Sequence, residues 1–286
     1  MKAWADIFLH LDERSCKPRS AGVTMLIDKG QGPHATADLL EVAGDYIDHW
    51  KLSFGTSALM NEPLLRDKVA MVRERDILVY PGGTLTEYAI VQGMCQEYLQ
   101  RAKSLGFNGI EISDGTIDLQ ATARRDAIEC ALDLGLTVVA EVGKKDPRRQ
   151  PTVEALTAQA LADFESGASW VTLEARESGK GVGVYGADGG VLSRDVDTLV
   201  AGLDGYLDRL IWEAPLKDQQ EYFILRLGVD VSLGNIQPLD LLALEALRAG
   251  LRFETLRPMV EKMEREEPLS LSERISRLAN LKLPEA

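Results

Sequence analysis

Four glutamates lie near the ends of four successive apolar segments of the chain. They are Glu111 in GIEISDG, Glu141 in TVVAEVGKK, Glu174 in WVTLEARESGK and Glu213 in RLIWEAPLK. Each segment has the composition of a buried strand, so each carboxylate is placed at one end of a core, where an unpaired charge is costly. Four carboxylates that converge there predict a site that attracts cations.

Further polar residues follow the same and the other apolar segments. They include Asp28, Lys29, Lys51, Ser113, Asp114, Lys144, Lys145, Arg176, Glu177, Lys180, Lys217 and Asn235. Carboxylates mixed with lysines and an arginine fit a small anionic substrate beside a hard divalent cation, because Mg²⁺ takes one or two carboxylates and leaves positions for other oxygens. We therefore predict Mg²⁺, with Glu111, Asp114, Glu174 and Glu213 as candidate ligands. An ion pair with a lysine on a neighbouring strand is an equally good interpretation of any single glutamate.

The two adjacent lysines after the fifth segment have different expected positions. Strand alternation puts Glu141, Gly143 and Lys145 on one side and Lys144 on the other, so Lys145 is the better candidate for the site. A lysine there can form a Schiff base if burial depresses its pKa, or it can stay protonated beside carboxylates. The surrounding glutamates favour the protonated form.

Eight apolar segments alternate with helical segments and predict the fold. The strand candidates are GVTMLIDKG, DYIDHWKLSF, ILVYPGG, GIEISDG, TVVAEVG, WVTLEARE, RLIWEAP and DVSLGNI, and helical periodicity covers 86–106, 122–135 and 152–167. Gly106, Gly135, Gly167 and Gly228 stand where helices would end. These features predict an α/β fold, a single-domain (β/α)8 TIM barrel whose active site lies at the carboxyl ends of the strands. Neither GxGxxG after the first strand nor GxxxxGK[ST] occurs.

Composition narrows the function classes. The chain has 286 residues, of which 45 are acidic and 32 basic, and the formal charge of -13 opposes binding to nucleic acid or to anionic lipid. No apolar segment approaches the roughly 18 residues that a membrane span needs, and no signal peptide is evident, so we expect a cytoplasmic protein. Three cysteines without CxxC spacing and three scattered histidines argue against disulfides, a zinc site or a Ser-His-Asp triad.

Two regions lie outside the strand pattern. We assign residues 1–255 to the barrel with an N-terminal lead-in and 256–286 to a C-terminal helical extension, which packs on the barrel or forms a subunit contact in a homo-oligomer. Glycine-rich loops at 178–186 and 234–236 are candidate phosphate contacts, whereas YPGGT at 80–84 reads as a plain turn.

The order of motifs is similar to that of the phosphosulfolactate synthase family. The chain carries GVTMLIDKG, AGDYIDHWK, GTS, VYPGGTL, IEISDGTI, EVGKK, EARESGKG, EAPLK and LGNI over residues 22 to 255. It departs from the expected pattern at Leu52–Phe54, where the family resemblance leads us to expect an aromatic residue and a glycine. The resemblance implies a barrel that adds sulfite to phosphoenolpyruvate in a Mg²⁺-dependent reaction and forms (2R)-phospho-3-sulfolactate, at the start of one route to coenzyme M.

The resemblance suggests roles for the residues already singled out. Lys145 would deliver a proton to an enolate-like intermediate, with Glu141 beside it, while Lys29, Lys51, Arg176, Lys180, Lys217 and Asn235 would bind the anionic substrates. Because alternate strands supply alternate layers, Glu111 and Glu174 are expected in one layer, and Glu141 and Glu213 in another. A Schiff-base aldolase and a non-catalytic, stress-associated barrel remain alternatives.

Overall fold

The computed structural model describes residues 3–4 and 14–266, and within them the chain forms a (β/α)8 TIM barrel. All eight predicted strands are present. Their bounds are β1 Thr24–Asp28, β2 His49–Leu52, β3 Leu78–Pro81, β4 Gly109–Ser113, β5 Thr137–Val142, β6 Trp170–Leu173, β7 Leu210–Glu213 and β8 Leu233–Ile236. Nearly every strand residue is buried, as expected for parallel strands that are covered by helices on one side and fill a barrel on the other.

Ten α-helices surround the strands and continue past the barrel. They are α1 Pro33–Ala43, α2 Glu62–Arg73, α3 Gly83–Val91, α4 Cys95–Ser104, α5 Ala121–Asp133, α6 Val153–Glu165, α7 Ser193–Gly202, α8 Lys217–Leu227, α9 Leu241–Arg248 and α10 Phe253–Glu266, counted over the described part of the chain. The glycines predicted to end helices have positive φ, for example 69° at Gly135 and 102° at Gly167. This conformation lets the chain reverse from a helix into the next strand.

The segment 86–106 contains two helices, not the single helix that its periodicity predicts. Helix α3 ends at Val91, and α4 begins at Cys95. Gly93 lies between them with φ of 70°, a left-handed conformation that breaks the helical hydrogen bonds. The helical period alone does not reveal this break, because the apolar residues continue on both sides of it.

The strands run in the order β3-β2-β1-β8-β7-β6-β5-β4, all parallel, and β3 and β4 face each other across the remaining seam. Asn108 bridges this seam, because its Oδ1 accepts a hydrogen bond from the Val79 N–H (2.7 Å) and its Nδ2 donates to the Ile77 carbonyl (3.2 Å). Gly109 lies so close to β3 that a Cβ there would be 3.0 Å from Leu78 Cδ1. The barrel is therefore closed by side chains and packing at this point.

Two apolar clusters support the barrel. The larger fills the space between the strands and the helices, and the smaller contains Val23, Met25, Tyr80, Val139 and Ile211. The smaller cluster fills the barrel interior beneath the carboxyl ends of the strands. Polar side chains near those ends consequently lie directly above a layer of apolar side chains.

The two ends of the described chain pack against the barrel. In the lead-in, the Arg14 guanidinium pairs with Asp230 (2.8 Å) and Glu245 (3.2 Å). Helix α10 contacts α8 and α9, and it begins at Phe253, so it spans the boundary that the sequence placed between 255 and 256. The predicted helical face at Ile275, Leu278 and Leu281 lies outside the described residues.

Candidate active site

A cavity of about 470 Å³ opens at the carboxyl ends of the strands. Every one of the eight strands, or the loop that follows it, contributes at least one lining residue. The lining comprises Ile27, Lys51, Ser53, Phe54, Gly82, Gly83, Thr84, Glu111, Thr116, Glu141, Lys145, Glu174, Arg176, Glu177, Ser178, Glu213 and Asn235. The four glutamates near the ends of the apolar segments all line this cavity, together with Lys51, Lys145, Arg176 and Asn235 from the predicted site.

Lys51 lies at the centre of the carboxylate cluster. Its Nζ is 2.8 Å from Glu111 Oε1, 2.8 Å from Glu141 Oε2 and 3.3 Å from Glu213 Oε1. Burial opposes protonation of Lys51, but the three carboxylates outweigh burial and raise its pKa well above the ordinary value. Lys51 is therefore a buried ammonium that offsets the negative charge of carboxylates on three strands.

Lys145 is the second ammonium of the cluster and the more accessible one. Its Nζ lies 2.9 Å from Glu141 Oε1, 3.1 Å from Glu174 Oε2 and 3.8 Å from Glu87 Oε1. Burial works against its charge, yet Glu141 and Glu174 raise its pKa above the ordinary lysine value. Its side chain is 29 % exposed, against 8 % for Lys51. A molecule in the cavity can therefore contact Lys145 more readily than Lys51.

The glutamates differ in their affinity for protons. Burial and the nearby Glu141 raise the pKa of Glu111 to about 7, and burial raises the pKa values of Glu174 and Glu213 above the ordinary range. Glu141 behaves oppositely: burial is outweighed by Lys145 and Lys51, which hold its pKa well below the usual value. Buried carboxylates thus outnumber the ammonium groups that face them, and the cluster favours a further positive charge.

The lysines join the two glutamate layers expected from the sequence. Lys51 contacts Glu111 of one expected layer and Glu141 and Glu213 of the other. Lys145 likewise contacts Glu141 and Glu174. Long lysine side chains reach across the layers, so the four carboxylates form one connected cluster.

Glu87 belongs to this cluster, although no strand pattern or motif of the sequence indicated it. It lies on α3, and its Oε2 accepts hydrogen bonds from the backbone N–H groups of Thr116 (2.8 Å) and Ile117 (3.0 Å). Ser113 Oγ lies 2.9 Å from both Glu87 Oε1 and Glu141 Oε1. Glu87 thereby fixes the loop after β4, and the available signal was a charged residue inside an otherwise apolar helix.

The YPGGT segment forms the start of α3 and lines the cavity, so it is more than the plain turn expected from the sequence. The Gly83 N–H donates a 2.6 Å hydrogen bond to Glu111 Oε2. A Cβ at Gly83 would lie 2.4 Å from the Ser113 Cβ and 3.2 Å from Glu111 Oε2. Glycine is required here because the helix terminus approaches the carboxylate so closely.

Asp114, a predicted metal ligand, does not line the cavity. Its Oδ1 is 3.1 Å from Arg124 Nη1, and its Oδ2 is 2.9 Å from Lys144 Nζ. The residue follows β4, and alternation turns its side chain away from Ser113, out of the barrel and towards the surrounding helices. Asp114 and Lys144 therefore belong to a supporting network behind the site, which gives no geometric support to the predicted metal role.

Arg124 on α5 is the hub of that network. It makes two hydrogen bonds to Asp163 (2.7 and 2.8 Å), and its Nη2 donates to the backbone carbonyl of Glu141 (2.9 Å). Burial opposes its charge, but Asp163 and Asp114 outweigh burial and raise the Arg124 pKa. The guanidinium thus connects α5 and α6 to β5, which carries Glu141 and leads into the loop with Lys145.

Replacing Arg124 with leucine should destabilise the fold strongly. The change leaves Asp163 buried without its cation and leaves Asp114 with Lys144 alone, so we expect a loss of about 3–5 kcal/mol in the free energy of unfolding. Arg125→Leu is the matched control, because the neighbouring side chain is 55 % exposed and its loss should cost less than about 0.5 kcal/mol. Urea unfolding measures both values, and equal losses would contradict the hub role.

Three other predicted substrate ligands lie outside the cavity lining. Lys217 begins α8 and pairs with Glu254 of α10 (2.7 Å), and its side chain is 41 % exposed. Lys180 is exposed in the glycine-rich loop, and Lys29 pairs with Glu177 across the mouth. All three lysines lie beyond the ends of their strands, in a turn, a loop or a helix, where period-2 alternation no longer determines the direction of a side chain.

A family model described as (2R)-phospho-3-sulfolactate synthase (ComA) matches residues 12–254. The chain belongs to this family. A phosphosulfolactate synthase of Methanothermobacter thermautotrophicus is 46 % identical over 245 residues, which cover 85 % of this chain and 94 % of that relative. A phosphosulfolactate synthase of Bacillus subtilis is 39 % identical over 253 residues, or 87 % and 98 % of the two chains. The match thus extends over the whole barrel and identifies the chain as a member of a lyase-type enzyme family.

Solved structures agree with the fold. The YdjI aldolase from Escherichia coli K12 superposes with a TM-score of 0.50 at 15 % identity, covering 86 % of this chain and 91 % of that one. At this identity the likeness concerns the barrel alone. Among the described helices, none is long and apolar enough to cross a membrane.

Proposed function

We propose that the protein is a phosphosulfolactate synthase, which adds sulfite to phosphoenolpyruvate to form (2R)-phospho-3-sulfolactate. Family membership over residues 12–254 supports this assignment. The observation that carries it is the cavity, where two ammonium groups, Lys51 and Lys145, and the Arg176 guanidinium stand among carboxylates. Both proposed substrates are small anions, and they need cations to offset their mutual repulsion.

The proposed reaction forms one bond between carbon and sulfur and one between carbon and hydrogen. The sulfur lone pair of sulfite attacks the methylene carbon C3, and the π electrons move onto C2 and the adjacent carboxylate. This enolate-like species then accepts a proton at C2, and the phosphate ester remains intact. Catalysis requires a group that stabilises the developing charge and a group that delivers the proton.

Lys145 is the proposed proton donor. Its raised pKa keeps it protonated, and it is the more exposed of the two cluster lysines. Glu141 lies between Lys145 and Lys51, with one carboxylate oxygen on each ammonium, at 2.9 and 2.8 Å respectively. Glu141 therefore holds both lysines in place, and Lys51 adds positive potential close to the developing charge.

The donor set fits a magnesium ion that is held by one or two carboxylates. No group of three or more acidic, histidine or cysteine side chains among the described residues forms a ready metal cage. Glu111 Oε1 and Glu174 Oε2 are buried and accept no hydrogen bond from the described residues, although each lies within ion-pair distance of a lysine. We propose these two carboxylates as the magnesium ligands. Mg²⁺, when bound, would stabilise negative charge on the substrate carboxylate.

The Schiff-base alternative has less support from the cluster. A lysine nucleophile must be neutral, which requires burial to depress its pKa. The carboxylates around Lys51 and Lys145 act in the opposite sense and raise both pKa values. A non-catalytic role is also disfavoured, because a barrel without chemistry gains nothing from a costly set of buried charges. A homo-oligomeric, cytoplasmic protein remains a prediction from the sequence.

A sulfite-dependent assay tests the proposed function. The purified protein should consume phosphoenolpyruvate only when sulfite and Mg²⁺ are both present, and a chelator should abolish turnover reversibly. The absorbance of the enol phosphate follows the reaction, and mass spectrometry identifies the product. A protein that shows no consumption of phosphoenolpyruvate under these conditions would refute the assignment, and turnover in chelator would refute the magnesium proposal alone.

A further inference from the structure

Arg176 differs from Lys51 and Lys145, the other cations that line the cavity, because no side chain of the described residues pairs with it. Its side chain is exposed and lines the cavity, and within residues 14–266 no ion pair or hydrogen bond engages the guanidinium. Its backbone is held firmly: the N–H donates to Glu174 Oε1 (2.6 Å), and the carbonyl accepts from Asn235 Nδ2 (3.3 Å). The residue has a φ of 58°, a left-handed conformation that these contacts stabilise. A guanidinium presented in this way is available for a substrate oxyanion.

The next residue, Glu177, is an acid that lines the same cavity. The other lining glutamates contact Lys51 or Lys145, whereas Glu177 pairs with Lys29, which comes from the loop after β1. Lys29 itself does not line the cavity. The ion pair therefore joins the loops after β1 and β6 across the mouth.

Hydrogen bonds to the buried Asp28 carboxylate hold the turn that carries Lys29 in place. Asp28 Oδ1 accepts hydrogen bonds from the backbone N–H groups of Gly30 (2.7 Å) and Gln31 (2.8 Å), and its Oδ2 accepts from Trp50 Nε1 (2.8 Å). Lys68 forms an ion pair with the same carboxylate. Asp28 is completely buried, so the lysine beyond it starts from a well-defined position.

We propose that Lys29 acts by masking Glu177, which keeps Arg176 free to bind an oxyanion of the substrate. The inference rests on the proposed function and assigns Lys29 a positioning role in place of direct substrate contact. Without Lys29, the Glu177 carboxylate stands next in the chain to the Arg176 guanidinium with no cation of its own, and it also adds negative charge to a cavity that must accept an anion. Both effects weaken substrate binding.

Stability alone does not account for the Lys29–Glu177 pair. The two side chains are 39 % and 46 % exposed, and ion pairs of this exposure contribute little to the free energy of unfolding. Their effect on a ligand is larger than their effect on the fold, because the charges stand at the edge of a cavity that a multiply charged anion enters.

A double-mutant cycle tests the masking role. Lys29→Gln should raise KM for phosphoenolpyruvate roughly three- to fivefold with little change in kcat, because a competing ion pair with exposed partners is worth up to about that factor. Lys29→Gln combined with Glu177→Gln should return KM to within about twofold of the original value, since the acid to be masked is gone. Arg148→Gln, which removes a cation from another exposed ion pair, is the matched control and should leave KM unchanged.

The outcome of the double variant decides between masking and direct binding. If KM stays as high as in Lys29→Gln, Lys29 contacts the substrate itself and the masking role is wrong. The Kd of phosphoenolpyruvate, measured by calorimetry on all variants, should follow the same pattern as KM. If the unaltered protein binds phosphoenolpyruvate but does not react with sulfite, the proposed function fails, while the calorimetric cycle still confirms or refutes masking.

Discussion

Replacing Lys145 with alanine is expected to lower kcat by a factor of roughly 10²–10⁴, the usual contribution of a positioned general acid. KM for phosphoenolpyruvate should change much less, because Lys51 and Arg176 remain in the cavity. The pKa of Lys145 is raised by Glu141 and Glu174, so the group stays protonated throughout the neutral range. Steady-state kinetics with sulfite and phosphoenolpyruvate measures both parameters.

Lys144→Ala provides the matched control for this variant. Lys144 is adjacent in the chain, but its ammonium binds Asp114 and the carbonyl of Ile117, outside the cavity. Its loss should lower the melting temperature more than it lowers kcat. If Lys144→Ala and Lys145→Ala reduce kcat equally, the proton-donor role of Lys145 is wrong, and the pair acts only by shaping the loop.

Replacing Lys51 with methionine should lower the stability of the fold strongly. The change leaves Glu111, Glu141 and Glu213 buried without their common ammonium, so we expect the free energy of unfolding at neutral pH to fall by about 3–5 kcal/mol. Lys103→Met, at an exposed lysine on the outer surface, should change it by less than about 0.5 kcal/mol. Urea unfolding of the two variants gives this comparison.

The Lys51→Met effect should depend on pH with a defined sign. The pKa of Glu111 is about 7 in the folded protein, above the ordinary glutamate value of 4.5, and it should rise further without Lys51. A raised carboxyl pKa means that the folded state takes up protons before the unfolded state does, so falling pH favours folding through this window. The deficit should therefore be smaller at mildly acidic pH than at pH values above 7, and a deficit that does not vary with pH would contradict uncompensated carboxylates.

The features that follow from a repeating period could be predicted from the sequence. The eight strands, the glycines that end helices and the placement of the four glutamates near the barrel mouth all depend on local patterns, and the structure shows each of them. The side preference of Lys145 over Lys144 also follows from alternation, since both residues lie within three positions of the end of β5.

The contacts that depend on three-dimensional packing could not be predicted in this way. Glu87 enters the site from a helix, and Gly83 touches Glu111 because α3 begins against β4. Asp114 and Lys217 were expected in the site by their position after a strand, yet Arg124 and Glu254 pair with them elsewhere. The partners lie 10 residues away in the chain for Asp114 and 37 for Lys217, beyond the reach of strand or helix periodicity, so no local pattern indicates them.

The positions of sulfur and of the added hydrogen in the product test most directly the proposal that sulfite attacks C3 and that a proton is then delivered to C2. The reaction of phosphoenolpyruvate with sulfite in D₂O, followed by ¹H and ¹³C NMR, should give a product with sulfur on C3, both original hydrogens on C3, one deuteron on C2 and the phosphate ester intact. That pattern requires attack at the methylene carbon and proton delivery at C2, the two events assigned to this cavity. Deuterium on C3, loss of phosphate, or no carbon–sulfur bond would contradict the account.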